Sequence, residues 1–173
     1  MEGDLFSKPP EYTIDTSSLI EIFDDVSLAS RKTTPGLWEK ILDLMREGVI
    51  ISHIEVLLEI KKEASAGEGL YDWAHDNKDI FRDYAYETEG RVIRSMSTKY
   101  RAFVNGKIKS VHADPWIIAQ AKCKKIKIIS EETRNSARDI KNYRLPDVCT
   151  DPIFGIECVN LLELVKERNW KFH

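Results

Sequence analysis

Short apolar runs that break directly into helical patterns constrain this chain more than any other feature. They are residues 11–14, ending in YTI, then VIIS at 49–52, IKIIS at 126–130 and GIECVN at 155–160. Each is rich in β-formers and too short for a helix. Helical patterns lie between them. TSSLIEIFDD puts Leu19, Ile22 and Phe23 on one face, and HIEVLLEIKKEA does the same with Ile54, Leu57 and Leu58. TTPGLWEKILDLMREG has Thr34 as its N-cap, Pro35 at the first helical position and Gly48 as its stop. HADPWIIAQAKCKK places Asp114 at an N-cap and Pro115 at N1. Leu70 to Phe103 reads as two helices meeting near residues 88–91, and the amphipathic LLELVKERNW closes the chain. Strands this short and apolar, separated by helices, predict a three-layer α/β/α sandwich around a central, mainly parallel sheet.

At 173 residues and 42% hydrophobic the chain suits a single domain. Within it, 67–110 is expected as a helical insertion or arm, and 1–10 and 168–173 as peripheral tails. No apolar run approaches the roughly 18–20 residues that span a bilayer, and MEGDLFSKPP lacks a signal-peptide apolar region. A cytoplasmic protein without a membrane segment is the expectation. Cys123, Cys149 and Cys158 form no CxxC pair, so a zinc knuckle or disulfide framework is not indicated. The four histidines lack HExxH spacing, and GxSxG, GxGxxG and Walker motifs are missing.

In a parallel sheet, ligands collect at the carboxyl ends of the strands, and acids recur there in this sequence. Asp15 ends the first run and Glu131 and Glu132 the third, while Glu55 and Glu59 lie one turn apart on the helix after the second and Asp114 opens a buried helix. Converging carboxylates repel one another, and the usual remedy is Mg2+ or Mn2+ bound through oxygens. Such ions activate water against a phosphodiester, so the substrate would be a polyanion. Each acid also has an ordinary role. Asp114 suits capping, Glu55 and Glu59 suit a solvated helix face, and Glu131 and Glu132 suit the start of a following helix. Asp15 is hardest to place this way, since an acid flanked by Ile14 and Leu19 must be paired or coordinated.

YTIDTSSLI, IISHIEVLLEI, HADPWIIAQA and KIKIISEE, in this order, resemble the four acidic motifs of PIN-domain ribonucleases, the fold of VapC-type toxins. Within that fold the chain is most similar to the DUF4411 family, which shares an LPDVC segment followed by a glycine-containing strand, here Leu145–Cys149 and FGIECVN. The resemblance implies Asp15, Glu59 and Asp114 as metal ligands and Ser17 as support for Asp15. It implies Glu132 as the fourth acid, where the family more often has Asp or Asn, with Glu131 and Asp147 nearby. It further implies a Mg2+- or Mn2+-dependent endoribonuclease, an antitoxin that covers the cleft, and a homodimer.

Charge is unevenly spread. Residues 1–90 hold nine Lys/Arg against twenty Asp/Glu, whereas 91–127 hold ten against one, Asp114. Arg94, Lys99, Arg101, Lys107 and Lys109 are expected either to rim the site and hold RNA phosphates or to form a solvated face. Tyr100, Phe103 and Trp116 among them could stack an unpaired base. Two other classes compete: an inactive PIN-like module that binds RNA or protein, and an aspartyl phosphoacceptor at Asp15, for which DTSS lacks the usual second acid.

Overall fold

A computed structural model describes residues 8–28, 36–62, 68–105, 112–135 and 143–172. In chain order it contains β1 (Tyr12–Ile14), α1 (Thr16–Leu28), α2 (Leu37–Arg46), β2 (Ile50–His53), α3 (Ile54–Lys62), α4 (Glu68–Asp76), β3 (Phe81–Arg82), α5 (Tyr86–Lys99), α6 (Arg101–Asn105), α7 (Asp114–Lys124), β4 (Lys127–Ile129), α8 (Leu145–Cys149), β5 (Cys158–Val159) and α9 (Leu161–Glu167). The five strands form one sheet in the order β3-β2-β1-β4-β5. Every neighbouring pair is parallel. This is the expected α/β/α sandwich with an entirely parallel sheet.

The parallel pairing follows from composition. Ile14, Ile50, Ile51, Ile128 and Ile129 are buried at the sheet centre, and Leu19, Ile41, Ile60, Ile117 and Ile118 from the helices pack with them in the same core. A strand covered on both faces has no polar side to show, hence the continuous apolar runs in place of alternation. One polar link crosses the core: Thr13 Oγ1 donates to Gln120 Oε1 at 2.6 Å, and Gln120 Nε2 donates to the Ser52 carbonyl at 3.3 Å. It docks α7 on β1 and β2 with its buried polar groups satisfied.

Two boundaries differ from the expectation. The break in the 70–103 region falls at 77–85, not near 88–91, and it contains β3, a fifth strand paired at Ser52↔Phe81 and His53↔Arg82. A two-residue strand carries no periodicity to read, and Gly90 is accommodated inside α5 at the modest cost of a helical glycine. The proposed Thr34 cap and Pro35 lie outside the described residues; the helix itself begins at Leu37 behind Gly36, whose φ of 90° suits glycine. Gly48, with φ of 76°, ends that turn as expected.

After α9 the chain is tied down, with Arg168 donating to Glu11 at 2.8 Å and standing over the Tyr12 ring. Among the described residues no helix is long and apolar enough to cross a membrane. The described cysteines are free thiols.

Candidate active site

The carboxyl ends of the central strands bring β1, β4 and the start of α3 to one edge. Asp15 continues the ladder by donating its N–H to the Ile129 carbonyl at 3.2 Å, which locks the residue between β1 and β4. Its side chain is 3% exposed. Three donors hold its carboxylate: Ser17 Oγ at 2.8 Å and Ser130 Oγ at 2.6 Å on Oδ2, and the Ser18 N–H at 2.8 Å on Oδ1. Hydrogen bonds to the charged form let a carboxylate survive burial without a cation.

The hydroxyls after Asp15 divide the work of the edge. Thr16 Oγ1 donates to Glu59 Oε2 at 2.5 Å, which joins α1 to α3 and orients the glutamate. Ser17 holds Asp15. Ser18 accepts the Glu131 N–H at 3.1 Å and donates to the Ile129 carbonyl at 3.4 Å, stitching α1 to the end of β4.

Asp114 is the most perturbed acid. Burial pushes its carboxyl well above the usual range, and the charges of Glu132, Asp15 and Glu59 push it further. These three are the other acids expected at the metal, so the repulsion records their convergence. The capping role expected of Asp114 is not realised: Ala113 is the N-cap and no side chain caps α7. Pro115 therefore sits one position later than N1. The carboxylate is left to face the site, 3.6 Å from His112 Nε2. Burial holds the His112 pKa below its usual value, so this partner carries little charge at neutral pH.

Glu132 lies at the same edge. Burial raises its carboxyl, the Leu145 N–H at the start of α8 lowers it, and the charge of Asp15 raises it again. Its backbone N–H donates to Ser130 Oγ at 3.2 Å, so Ser130 touches both Asp15 and Glu132.

The supporting acids take other tasks. Glu131 turns to the start of α9, accepting the Leu161 N–H at 2.6 Å. Asp147 caps α8 by accepting the Arg144 N–H at 2.9 Å, and it receives the Asn135 N–H as well. Glu55 accepts from the Tyr84 hydroxyl. All three act as structural anchors around the four acids. Among the basic residues, Lys99 is taken by Asp151 at 2.6 Å, Arg94 and Arg101 are exposed, and Lys107 and Lys109 lie outside the described residues.

Sequence reasoning missed Ser130, Thr16 and the buried His53–Glu89 pair. His53 Nδ1 accepts the Glu55 N–H at 3.1 Å, so its proton sits on Nε2, 3.4 Å from Glu89 Oε2. Burial opposes ionisation of Glu89, but hydrogen bonds from His53 and the Ala85 N–H outweigh it and hold the carboxyl below its usual range. His53 ends a strand and Glu89 lies within a helix of polar face, and neither position carries a motif.

Oxygen donors of this kind suit Mg2+ or Mn2+ and not a soft metal. Among the described residues no three His, Cys, Asp or Glu side chains stand close enough to ligate one ion as they are. Asp15, Glu59 and Glu132 each engage a protein donor. The donor set, all carboxylate oxygens, fits a hard cation chemically.

The molecule is thus an α/β protein with converging, incompletely neutralised carboxylates at the carboxyl edge of a parallel sheet. It belongs to the family described as a domain of unknown function, DUF4411, which matches residues 12–172. No curated protein and no solved structure matches the chain.

Proposed function

We propose that the protein is a metal-dependent endoribonuclease of PIN type, the toxin of a toxin–antitoxin pair, acting in the cytoplasm on RNA. The observation that carries this is the electrostatic crowding of Asp114 by Glu132, Asp15 and Glu59. A fold in which the charges of Glu132, Asp15 and Glu59 bear on Asp114, with only a largely neutral histidine beside it, leaves room for an external cation. Mg2+ or Mn2+ held by Asp15, Glu59, Asp114 and Glu132 would supply a lowered water pKa and positive charge against the phosphodiester. The chain's own work is orientation. Ser17, Ser130 and the Ser18 N–H fix Asp15, Thr16 fixes Glu59, and the Leu145 N–H fixes Glu132. An antitoxin segment covering this acidic edge, and pairing of two copies, belong to the same proposal.

The hydrogen bonds that now occupy the acids favour a second reading, an inactive PIN-like module that binds RNA or protein without cutting it. Cleavage of labelled single-stranded RNA across a Mg2+ and Mn2+ titration separates the two. Metal-dependent cutting by the wild type, lost in both Asp15→Asn and Asp114→Asn, supports the nuclease. Cutting that persists in either variant, or none under any metal, removes it. Acid-labile phosphate on Asp15 would replace both readings with a phosphoacceptor.

A further inference from the structure

Beside the acids stands an aromatic group that the metal chemistry does not use. His53 and Trp116 stack at 5.3 Å with 18° between planes, and Tyr84 meets Trp116 edge-on at 4.8 Å. Tyr84 in turn stacks on Tyr86 at 4.7 Å and 13°. The group reaches the same edge by two routes, since His53, stacked on Trp116, ends β2 and the Tyr84 hydroxyl donates to Glu55, one turn before Glu59. The inner rings are shielded, but Tyr86 is 66% exposed. Tyr84 stacks on one of its faces and Trp116 meets it edge-on at 6.1 Å, while most of its surface is open to solvent.

The neighbouring surface has a matching shape and charge. Tyr86, Gly90 and Arg94 follow one another at intervals of four along the same face of α5. Gly90 carries no side chain, and a Cβ there would lie 3.6 Å from Arg94 Nη1. The Arg94 side chain therefore leans back toward the helix N-terminus, as long helical side chains do. Its guanidinium hangs over Gly90, one helical turn from Tyr86, or roughly 6 Å. Among the described residues no carboxylate forms an ion pair with Arg94, whereas Lys99 is held by Asp151. Asp83 and Glu87, which flank the Tyr84–Tyr86 segment in the chain, are exposed. They disfavour the dense phosphate charge of a duplex, so stacking supplies most of the contact here and a single phosphate the rest.

We propose that Tyr86, Gly90 and Arg94 form a nucleotide subsite, in which an unpaired base stacks on the open face of Tyr86 while its phosphate crosses Gly90 to the Arg94 guanidinium. The subsite makes the protein select single-stranded over duplex RNA beside the acidic edge. It rests on RNA being the substrate of that edge.

Binding without cleavage tests it. An Asp15→Asn background in Mg2+ is titrated with a fluorescein-labelled oligoadenylate and, separately, with a blunt RNA duplex, and anisotropy is read. Adding Tyr86→Ala weakens single-strand binding roughly ten- to a hundredfold, while Tyr86→Phe keeps it. Gly90→Leu, which favours the helix but covers the strip, weakens it too. Arg94→Gln lowers the single-strand salt slope by roughly 0.7. Duplex affinity stays where it was in every variant, and circular dichroism melts confirm folding. Unchanged single-strand affinity in Tyr86→Ala overturns the subsite, including the case in which this face holds a protein partner instead. A loss shared equally by strand and duplex also overturns it. The subsite and the nuclease fail separately: a Tyr86 effect with no cutting by the wild type leaves the subsite standing, and cutting without a Tyr86 effect leaves only the nuclease.

Discussion

Asp114 and Asp151 are both acids held within the fold, and the protein treats them in opposite ways. Asp151 receives the Lys99 ammonium at 2.6 Å, the Tyr100 hydroxyl at 2.5 Å and the Ile153 N–H at 3.0 Å. Those hydrogen bonds, that of Lys99 foremost, draw its carboxyl down to about 2. Asp114 has burial and three neighbouring acids, and its carboxyl is driven up. The fold evidently can neutralise a carboxylate from its own side chains, and it does so away from the sheet edge. At the edge it supplies hydroxyls and backbone N–H groups, which orient acids without cancelling their charge. Under the proposed function, a site organised in this way would take its cation from outside, at the expense of stability while none is bound.

That contrast can be broken most directly at Asp114. A carboxyl whose folded pKa lies above its unfolded value of 3.8 binds its proton more tightly when folded, so wild-type stability declines as pH rises above that value. Asp114→Asn should therefore stabilise the apoprotein at pH 7 by roughly 1–3 kcal/mol, with the gain fading below 3.8. Mg2+ should raise the wild-type melting temperature and leave the variant's unmoved; thermal melts in EDTA and in Mg2+ at two pH values read both effects.

Asp151→Asn should do the reverse. It removes a compensated charge and should cost about 1–2 kcal/mol at pH 7, discounted for the exposure of Lys99. Here the folded pKa is depressed, so the contribution is present above 3.8 and is lost as pH falls through about 2. Urea titrations at neutral and strongly acid pH follow it, and cleavage should not change. A variant as stable as the wild type at pH 7 would show that the clip at Asp151 neutralises nothing of consequence.

Smaller effects sharpen the comparison. Ser130 touches Asp15 and Glu132 together. Ser130→Ala should shift the Mg2+ midpoint for activity upward by roughly tenfold, as the loss of an orienting partner does. Least affected should be Glu131→Gln, since Glu131 anchors the first residue of α9 and not the site. It should cost about 0.5–1 kcal/mol in urea and leave cleavage alone, in contrast to Glu132→Gln, which should abolish it.

Much of the sheet was legible because β1, β2, β4 and β5 lie in short apolar runs, three of which (β1, β2 and β5) end where a helical period starts. Asp15 stood out for the same reason, as a charge at an apolar junction. β3 was not legible, because Phe81–Arg82 is extended by its neighbour β2 and by no pattern of its own. Asp114 illustrates the harder case. As sequence, Asp-Pro before an apolar run reads as a cap, and only the folded chain shows Ala113 taking that position.

What the sequence by itself determined, then, is the layered parallel fold and the identity of the acids, because both follow from local polarity and period. Which acids converge was decided by tertiary structure. Glu131 and Glu132 are adjacent in sequence, yet one turns to α9 and the other contributes to the charge around Asp114. Their division depends on where the first N–H groups of α8 and α9 come to rest, and those positions are set by packing between segments distant in the chain.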